Sequence, residues 1–238
     1  MTANELWVCQ LPIIEYREAL VLQERVRAAR QAGAIPDTLL LLEHPPVYTR
    51  GRRSAAGELP MGEAWYAGQG IDVIDSDRGG RVTYHGPGQL VGYPIMRIDD
   101  VIAYLRTIER AIIAALADSG IFGRARPADG PDFTGVWSGE RKIASIGVHV
   151  SRGVTTHGFA INVENDLQPF EWVVPCGLSG VQMTSVTKEL GAGAEAPALQ
   201  AVRDDVARRF AESFQRTPIA ITVEGLDAAV QLEVEQPM

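Results

Sequence analysis

The spacing of hydrophobic residues predicts three amphipathic helices, over residues 16–31, 101–119 and 198–216. The second is the clearest, because its apolar residues recur every three or four positions and form one stripe. The stripe consists of Ile102, Leu105, Ile108, Ile112 and Leu116. Gly33 and Gly120 lie just beyond the first two helices and predict where these helices end.

Short apolar runs bounded by Gly, Pro or polar residues predict the strands. They cover residues 6–11, 38–43, 71–75, 81–84, 90–95 and 155–162, and residues 135–150 form two more around a Ser-Gly-Glu-Arg turn. A turn at residues 86–88 joins two of these strands. Because the predicted hairpins cluster in mid-chain, we expect an α+β fold with a mixed, largely antiparallel sheet and flanking helices. No linker divides the chain, so we expect a single domain over residues 1–216, and the role of residues 217–238 is open.

The composition excludes several classes of protein. The 238 residues are 46% hydrophobic and 22% charged, which argues against a largely disordered chain. The net charge of −8 argues against general nucleic-acid binding. No apolar run approaches the ~20 residues of a membrane helix, and residues 1–10 lack the order of a signal peptide. Since two cysteines cannot form a disulfide framework, we expect a cytoplasmic protein.

The two cysteines lie in different sequence environments. Cys176 lies in a Pro-Cys-Gly turn, where the proline fixes the approach of the chain and the glycine leaves the sulfur accessible. A reactive thiol and a small buried side chain are both open for it from the local sequence. Cys9 lies in an apolar strand, so we expect a buried structural role.

Residues 78–89, Arg-Gly-Gly-Arg-Val-Thr-Tyr-His-Gly-Pro-Gly-Gln, form the densest glycine segment. Glycines let the backbone approach a ligand closely, and its N–H groups can hold an anion or a carbonyl oxygen. This composition favours a ligand-binding loop over a tight structural hairpin. It is not a P-loop, because no Gly-Lys-Ser/Thr follows and no helix begins there.

Lys142 enters an apolar strand, either as a solvated strand end or as a partly buried functional amine. On the local sequence alone we expect a solvated side chain, because buried lysines are rare. His149 and His157 are similarly ambiguous, since a single histidine in a strand is more often structural than catalytic. The four histidines and two cysteines show no metal-ligand spacing, so we expect no metal site.

Taken together, these segments resemble the octanoyl-acyl-carrier-protein:protein N-octanoyltransferases, also called lipoyl(octanoyl) transferases. The matching motifs are residues 78–89, Lys-Ile-Ala-Ser-Ile-Gly at 142–147, His-Gly-Phe-Ala-Ile-Asn at 157–162 and Pro-Cys-Gly at 175–177. Leu-Leu-Glu-His-Pro at 41–45 and Gly51-Arg52 also fit, and the resemblance covers roughly residues 39–180. The chain departs from the family pattern only mildly, at Leu178 and Ile161, where isoleucine and leucine are usual.

The resemblance implies an α/β fold shared with the catalytic domains of biotin and lipoate protein ligases, formed here by residues 1–216. It implies an acyltransferase without a cofactor that moves octanoyl from octanoyl-acyl carrier protein to a lysine of lipoyl domains. These acceptors are the E2 subunits of 2-oxoacid dehydrogenases and the glycine-cleavage H protein. By the same resemblance, Cys176 carries the acyl thioester and Lys142 lowers the pKa of its thiol. The residues that would hold the acyl substrate are Arg78, Gly79, Gly80, Arg81, Val82, Thr83, Tyr84, His85, Ser145, Ile146, Gly147, Gly158, Phe159 and Ala160.

This chemistry agrees with general physical principles. An ammonium group near a thiol favours the thiolate, and the carrier thioester is already activated, so no ATP is required. Backbone N–H groups at residues 145–147 or 79–80 could hold the oxyanion. The acceptor lysine must lose a proton, and the sequence leaves open whether Lys142 or His85 relays it.

Three other functions are open on the sequence alone. An ATP-dependent lipoate or biotin ligase on the same fold would consume ATP during acylation. A thiol hydrolase using Cys176 with His85 or His157 would release free octanoate without a protein acceptor. A lipoyl-domain or carrier-binding module would keep its binding after Cys176 is lost.

Docking of a carrier needs local positive charge, because acyl carrier proteins are acidic and this chain is acidic too. The arginines near the motifs are Arg50, Arg52, Arg53, Arg78, Arg81 and Arg141. Two interpretations are open. These residues form a basic rim around the active-site mouth, or they pair with nearby acids such as Glu58 and Glu63 in a solvated loop.

Overall fold

The computed structural model describes residues 4–173, 181–191 and 197–231. Its strands, in chain order, are β1 (Glu5–Ile13), β2 (Asp37–Glu43), β3 (Val47–Arg50), β4 (Asp72–Asp75), β5 (Thr83–His85), β6 (Gln89–Ile95), β7 (Gly135–Ser138), β8 (Arg141–Ser151), β9 (Val154–Asn162) and β10 (Thr217–Ala220). Its α-helices are α1 (Tyr16–Ala32), α2 (Glu63–Gly68), α3 (Val101–Asp118), α4 (Val186–Leu190), α5 (Leu199–Ser213) and α6 (Val223–Gln231). Short 3₁₀ turns lie at Ala56–Glu58, Pro127–Asp129, Pro131–Phe133 and Gln168–Trp172.

Seven strands form the main sheet, in the order β10-β1-β2-β6-β9-β8-β7. Strand β1 is parallel to both of its neighbours, β10 and β2, whereas every other pair in this sheet is antiparallel. A second sheet has the order β4-β3-β5, in which β3 is parallel to β4 and antiparallel to β5. The expected α+β fold with a mixed, largely antiparallel sheet and flanking helices is therefore confirmed.

Helices cover both faces of the main sheet. On one face α3 and α5 pack against each other over a core that includes Ile108 and Phe210. On the other face lie α1 and α6, with Val26 and Leu226 in the core. The leucine run at residues 39–42 is buried on both sides, because successive side chains of a strand point to opposite faces.

The three predicted helices are confirmed to within a few residues as α1, α3 and α5. Helix α3 begins at residue 101 because the Asp100 side chain accepts hydrogen bonds from the backbone N–H groups of Ile102 and Ala103, at 2.8 and 3.0 Å. This N-terminus, with Val101, reaches the edge of the cavity described below.

The turn at residues 86–88 does not close a hairpin. The strand before it, β5, pairs with β3 in the second sheet, whereas the strand after it, β6, pairs with β2 and β9 in the main sheet. The chain therefore crosses between sheets at this turn. Sequence reasoning also missed β3 and α2, which are too short to show a periodic pattern.

The segment from Thr217, whose role the sequence left open, extends the main sheet. Strand β10 pairs with β1 at the sheet edge, and α6 buries Leu226 and Val230. Residues 217–231 thus pack on the same core as the preceding chain. No helix in the described part of the chain has the length and apolar character needed to cross a membrane.

Candidate active site

A cavity of about 270 Å³ opens between two walls. The loop wall is formed by residues 77–82, and the strand wall by residues 142–148 of β8 with residues 157–160 of β9. The cavity is lined by these residues from the family motifs: Arg78, Gly79, Gly80, Arg81, Val82, Thr83, His85, Lys142, Ser145, Ile146, Gly147, Gly158, Phe159 and Ala160. Its volume is near the lower end of the about 300–1,000 Å³ typical of small-molecule sites, which suits a slender ligand.

Of the expected site residues that the structure describes, Tyr84 alone does not line the cavity. Tyr84 packs away from it, with its ring centroid 5.5 Å from those of Tyr48 and Phe170. This follows from the alternation of side chains along β5, which places its neighbours Thr83 and His85 on the cavity side. Cys176 lies in residues 174–180, outside the described residues.

The chain that follows Cys176 is attached directly to Lys142. The Lys142 backbone N–H donates to the carbonyl oxygen of Gln182, and the Thr184 N–H donates to the Lys142 carbonyl oxygen, both at 2.9 Å. Residues 182–184 therefore run beside the beginning of β8. This brings together two segments that the sequence separates by forty residues.

Lys142 is buried, with only 2% of its surface exposed, so the expectation of a solvated strand end is wrong. Its side chain lines the cavity, and its Nζ lies 5.4 Å from the centroid of the Trp137 ring. Trp137 is itself 1% exposed, and an aromatic face attracts an ammonium group in such a desolvated position. An amine that is costly to bury is therefore held at the ligand cavity.

The loop wall is fixed by the buried guanidinium of Arg78. Its Nε donates to Thr49 Oγ1 at 3.0 Å and its Nη2 donates to the Thr49 carbonyl oxygen at 2.7 Å. The Gly79 N–H donates to the carbonyl oxygen of Val148 at 3.0 Å, which ties the loop to β8. A β-carbon on Gly147 would lie 2.6 Å from the Gly79 carbonyl oxygen, so only glycine permits this approach. Arg78 thus fastens the loop wall to Thr49 of β3.

Most arginines of the predicted rim are already paired. Arg50 binds Asp75 and Glu63, each at 2.6 Å, and Arg81 binds Glu58 at 2.7 Å. The other two pairs are Arg53 with Asp132 at 3.0 Å and Arg141 with Glu189 at 2.9 Å. These contacts favour the second interpretation for most of the set. Arg52 and Arg53 remain the exposed arginines of this loop.

His85 has a defined tautomer. Gln89 donates through Nε2 to the Tyr84 carbonyl oxygen and to Asn162 Oδ1, so its Oε1 faces His85 Nδ1 at 2.7 Å. Nδ1 must therefore carry the proton, and Nε2 carries the lone pair. Burial holds the pKa of His85 well below its usual value, and nearby His44 acts in the same direction. His85 is thus a neutral imidazole that resists protonation.

Sequence reasoning missed an aromatic cluster behind His85. Tyr16 stacks on the His85 ring at a centroid distance of 6.0 Å, and Tyr93 also lines the cavity. His44 Nδ1 donates to the Ile14 carbonyl oxygen at 2.7 Å, so its Nε2 accepts from the Tyr93 hydroxyl at 2.6 Å. Burial lowers the pKa of His44 to about 4. The one sequence signal was His44 itself, a polar residue two positions after a buried leucine run.

His157, ambiguous in the sequence, joins the two walls. Its Nε2 donates to Asp77 Oδ1 at 2.7 Å, and this hydrogen bond is the main cause that lowers the pKa of Asp77 to about 2. Burial outweighs the carboxylate and lowers the pKa of His157 itself. His157 also has a backbone φ of 58°, a costly conformation for a residue with a β-carbon. His157, which lines the cavity, is thus a residue with a strained backbone.

Cys9 has the structural role expected for it. It is fully buried in β1, and burial raises the pKa of its thiol to about 11. Within residues 4–173, 181–191 and 197–231, no cluster of three or more His, Cys, Asp or Glu side chains could hold a metal ion.

Comparison with known proteins gives a consistent result. Residues 15–214 match the model of the lipoyl protein ligase A/B catalytic domain. The chain is 49% identical over 212 residues to an octanoyltransferase of Solibacter usitatus, covering 87% of this chain and 90% of the relative. It is 40% identical over 235 residues to an octanoyltransferase of Caldicellulosiruptor saccharolyticus, covering 97% of this chain and 98% of the relative.

Solved structures show the same fold at low sequence identity. A lipoate-protein ligase A bound with ATP superposes with a TM-score of 0.76 at 20% identity, covering 99% of this chain and 95% of that one. Protein Ta0514 of T. acidophilum, with bound lipoic acid, gives a TM-score of 0.74 at 20% identity, covering 97% of this chain and 94% of that one.

Proposed function

Since the chain belongs to the lipoyl protein ligase A/B catalytic-domain family and is an octanoyltransferase like its relatives, we propose the route that the acyl group takes. Octanoyl moves from acyl carrier protein to Cys176 as a thioester, and from there to a lysine of a lipoyl domain. The observation that carries this proposal is the buried Lys142 at a slender cavity, with the chain that follows Cys176 attached to its backbone.

The cavity suits an acyl chain. Val82 on the loop wall and Ile146 and Phe159 on the strand wall supply apolar surface, and the glycines between them leave room for the chain. Burying the methylene groups of an octanoyl chain is favourable by about 0.8 kcal/mol for each. The cavity therefore binds the acyl group, and the carbonyl of the acyl group remains at the open end of the cavity.

In the first half-reaction, the Cys176 thiolate attacks the carbonyl carbon of the carrier thioester. The bond to the carrier sulfur breaks, and the carrier leaves as a thiol after taking one proton. A free cysteine has a pKa of ≈ 8.5, so an adjacent ammonium is needed to raise the thiolate fraction at neutral pH. Lys142 supplies this charge and gives the proton to the departing sulfur.

The oxyanion of each tetrahedral intermediate needs backbone donors. The Gly79 N–H already donates to Val148, so it does not serve. The N–H groups of residues 145–147 lie in strands that pair with their neighbours in the sheet. Gly80, the next residue of the loop wall, lines the cavity. The Gly80 N–H is our candidate donor.

In the second half-reaction, the ε-amine of the acceptor lysine attacks the Cys176 thioester. An amide forms, the thiolate leaves, and the amine loses a proton. His85 is a poor receiver, because burial holds its pKa well below the usual value. This favours Lys142, which becomes neutral in the first half-reaction, as the group that takes the proton back.

The acceptors in this proposal are the lipoyl domains of 2-oxoacid dehydrogenase E2 subunits and the glycine-cleavage H protein, modified in the cytoplasm. Lipoylation of an E2 lipoyl domain is also the subject of a related archaeal structure. No cofactor enters the scheme, since the activation resides in the donor thioester.

Intact-mass analysis after mixing the protein with octanoyl-acyl carrier protein tests the proposal. We expect one octanoyl group on Cys176 in the wild type and in Cys9→Ala, and none in Cys176→Ala. Cys9→Ala is the matched control, because Cys9 is the only other cysteine of the chain. Subsequent addition of a lipoyl domain should discharge the adduct onto its lysine without ATP.

An adduct that maps to Cys9, or that persists in Cys176→Ala, would overturn the thioester on Cys176. Release of free octanoate in the absence of an acceptor would instead indicate a hydrolase. A strict requirement for ATP would indicate ligase chemistry.

A further inference from the structure

The Lys142 side chain lies in a slot that strand β7 forms. The β7–β8 register shifts between Val136 and Trp137, so that Trp137 pairs with Lys142 while Val136 pairs with Ala144. The extra residue on β8 forms a bulge, and such bulges turn neighbouring side chains to a new direction. Here the bulge sets the Trp137 ring against Lys142.

Gly135 forms the other side of the slot. A β-carbon at this position would lie 2.8 Å from Lys142 Cε and would also overlap the Ala144 carbonyl oxygen. Gly135 has a φ of 138°, which other residues rarely adopt. The missing β-carbon at residue 135 therefore leaves the space that the Lys142 side chain occupies.

Glu109 of α3 holds Gly135 in place. Its Oε1 accepts a hydrogen bond from the Gly135 N–H at 3.1 Å, and its other oxygen pairs with Arg106. Glu109 is only 1% exposed and lies on the face of α3 that also buries Ile108 and Ile112. A carboxylate in such a place is costly, and an apolar residue would pack there more favourably.

We propose that Glu109 is a positioning residue that acts through Gly135 to keep the Lys142 amine at the cavity. This rests on the proposed function for the importance of Lys142, but the geometry of the slot can be measured without any turnover. The position of the Lys142 amine depends on the length of the Glu109 side chain, which lets it reach the Gly135 N–H, and not on its charge.

A second buried carboxylate also accepts a hydrogen bond from a backbone N–H and pairs with an arginine. Glu58 is 4% exposed, its Oε2 accepts from the Val82 N–H at 3.2 Å, and its Oε1 pairs with Arg81 at 2.7 Å. It anchors the loop wall as Glu109 anchors the Lys142 slot. Glu58 is therefore a matched control for the loss of a buried, arginine-paired anchor.

Two variants separate reach from charge. Glu109→Gln keeps the side-chain length and the carbonyl acceptor but removes the charge, whereas Glu109→Asp keeps the charge but draws the acceptor away from Gly135. We expect Glu109→Gln to retain transfer within about threefold of wild type. We expect Glu109→Asp to lose about tenfold or more in kcat, with KM for an octanoyl thioester within about twofold. Glu58→Asp should raise KM by about threefold or more.

The structural readout uses the lysine content of the chain, which is limited to Lys142 and Lys188. In protein grown with lysine labelled at Cε and Nζ, the exposed Lys188 gives an internal reference signal. We expect the Lys142 signal to move or broaden in Glu109→Asp, and to coincide with wild type in Glu109→Gln and Glu58→Asp. The Lys188 signal should stay fixed throughout, and the far-UV circular dichroism of each variant should match that of wild type.

The opposite ranking, with Glu109→Asp unchanged and Glu109→Gln impaired, would overturn the proposal in favour of a charge effect. An equal shift of the Lys142 signal in Glu58→Asp would reduce Glu109 to a general fold anchor. If Lys142→Ala still transfers octanoyl at the wild-type rate, the proposed function fails at Lys142. The NMR comparison would still decide whether Glu109 holds the slot.

Discussion

The two walls of the cavity are held by different forces. The strand wall belongs to β8 and β9, whose backbones pair over eight consecutive positions, from Ala144 opposite Ile161 to Ser151 opposite Val154. The loop wall is held largely by side chains: Asp77 by His157, Arg78 by Thr49 and Arg81 by Glu58. Backbone pairing holds one wall whatever side chains it carries, whereas the other wall depends on each partner being present.

This difference separates the tasks of the two walls. On the strand wall, backbone hydrogen bonds to Gln182 and Thr184 hold Lys142, so its side chain is available for chemistry. On the loop wall, the charged side chains hold the backbone, and we expect the glycines and Val82 to contact the acyl chain. Substitutions on the strand wall should therefore change turnover, and substitutions on the loop wall should change stability and substrate affinity.

The largest expected effect is at Lys142. Lys142→Ala should slow octanoyl transfer about 100-fold or more, the range expected when an acid–base group is lost. Lys142→Arg keeps a positive charge but does not readily release a proton, so Cys176 should acylate faster than in Lys142→Ala while transfer to the acceptor stays slow. Single-turnover mass analysis of each half-reaction measures both rates.

A measurement of stability tests the role of the same residue in a different way. Lys142→Met keeps most of the volume, and the free energy of unfolding in urea should change by about 1 kcal/mol or less, because backbone pairing holds the wall. A large loss of stability in Lys142→Met would remove the distinction between the walls.

An intermediate effect is expected at Asp77. Asp77→Asn should raise KM for an octanoyl thioester and leave kcat nearly unchanged, because His157 would lose its charged partner. The loss of unfolding free energy should be about 1 kcal/mol or less, since the Asp77 side chain is 55% exposed and solvent screens the pair.

The pH dependence of this contribution follows from the pKa of Asp77, lowered from 3.8 to about 2 in the folded protein. A group with a depressed pKa stabilises the fold above its unfolded value and loses that effect as the pH falls through the folded one. The advantage of wild type over Asp77→Asn should therefore persist from pH 8 to pH 5 and vanish between about pH 4 and 2. A difference that already disappears by pH 5 in urea unfolding would contradict the role of this carboxylate.

The smallest effect is expected at Arg52 and Arg53, the exposed arginines of the loop that follows β3. Charge reversal of both should raise KM for octanoyl-acyl carrier protein about threefold or more at low salt, and less at high salt. Turnover of a small octanoyl thioester should stay near wild type, because that substrate needs no docking surface. If both substrates are affected equally, these arginines do not receive the carrier and the loop is merely solvated.

The sequence by itself determined the helices α1, α3 and α5 and most strands of the main sheet. These follow from local periodicity and from contiguous motifs, each confined to a few turns or one strand. The motif residues of β8 and β9 share one cavity because these two strands are neighbours in the sheet.

Only the tertiary structure decided the burial of Lys142, the pairing of the arginines and the direction of Tyr84. Each depends on partners distant in the chain: Gln182 beside Lys142, Glu58 beside Arg81, and Phe170 beside Tyr84. The exposure and charge environment of a side chain are set by what packs against it. Local sequence supplies a lysine at the start of a strand, but Gly135, Trp137 and Glu109 make the slot that holds it.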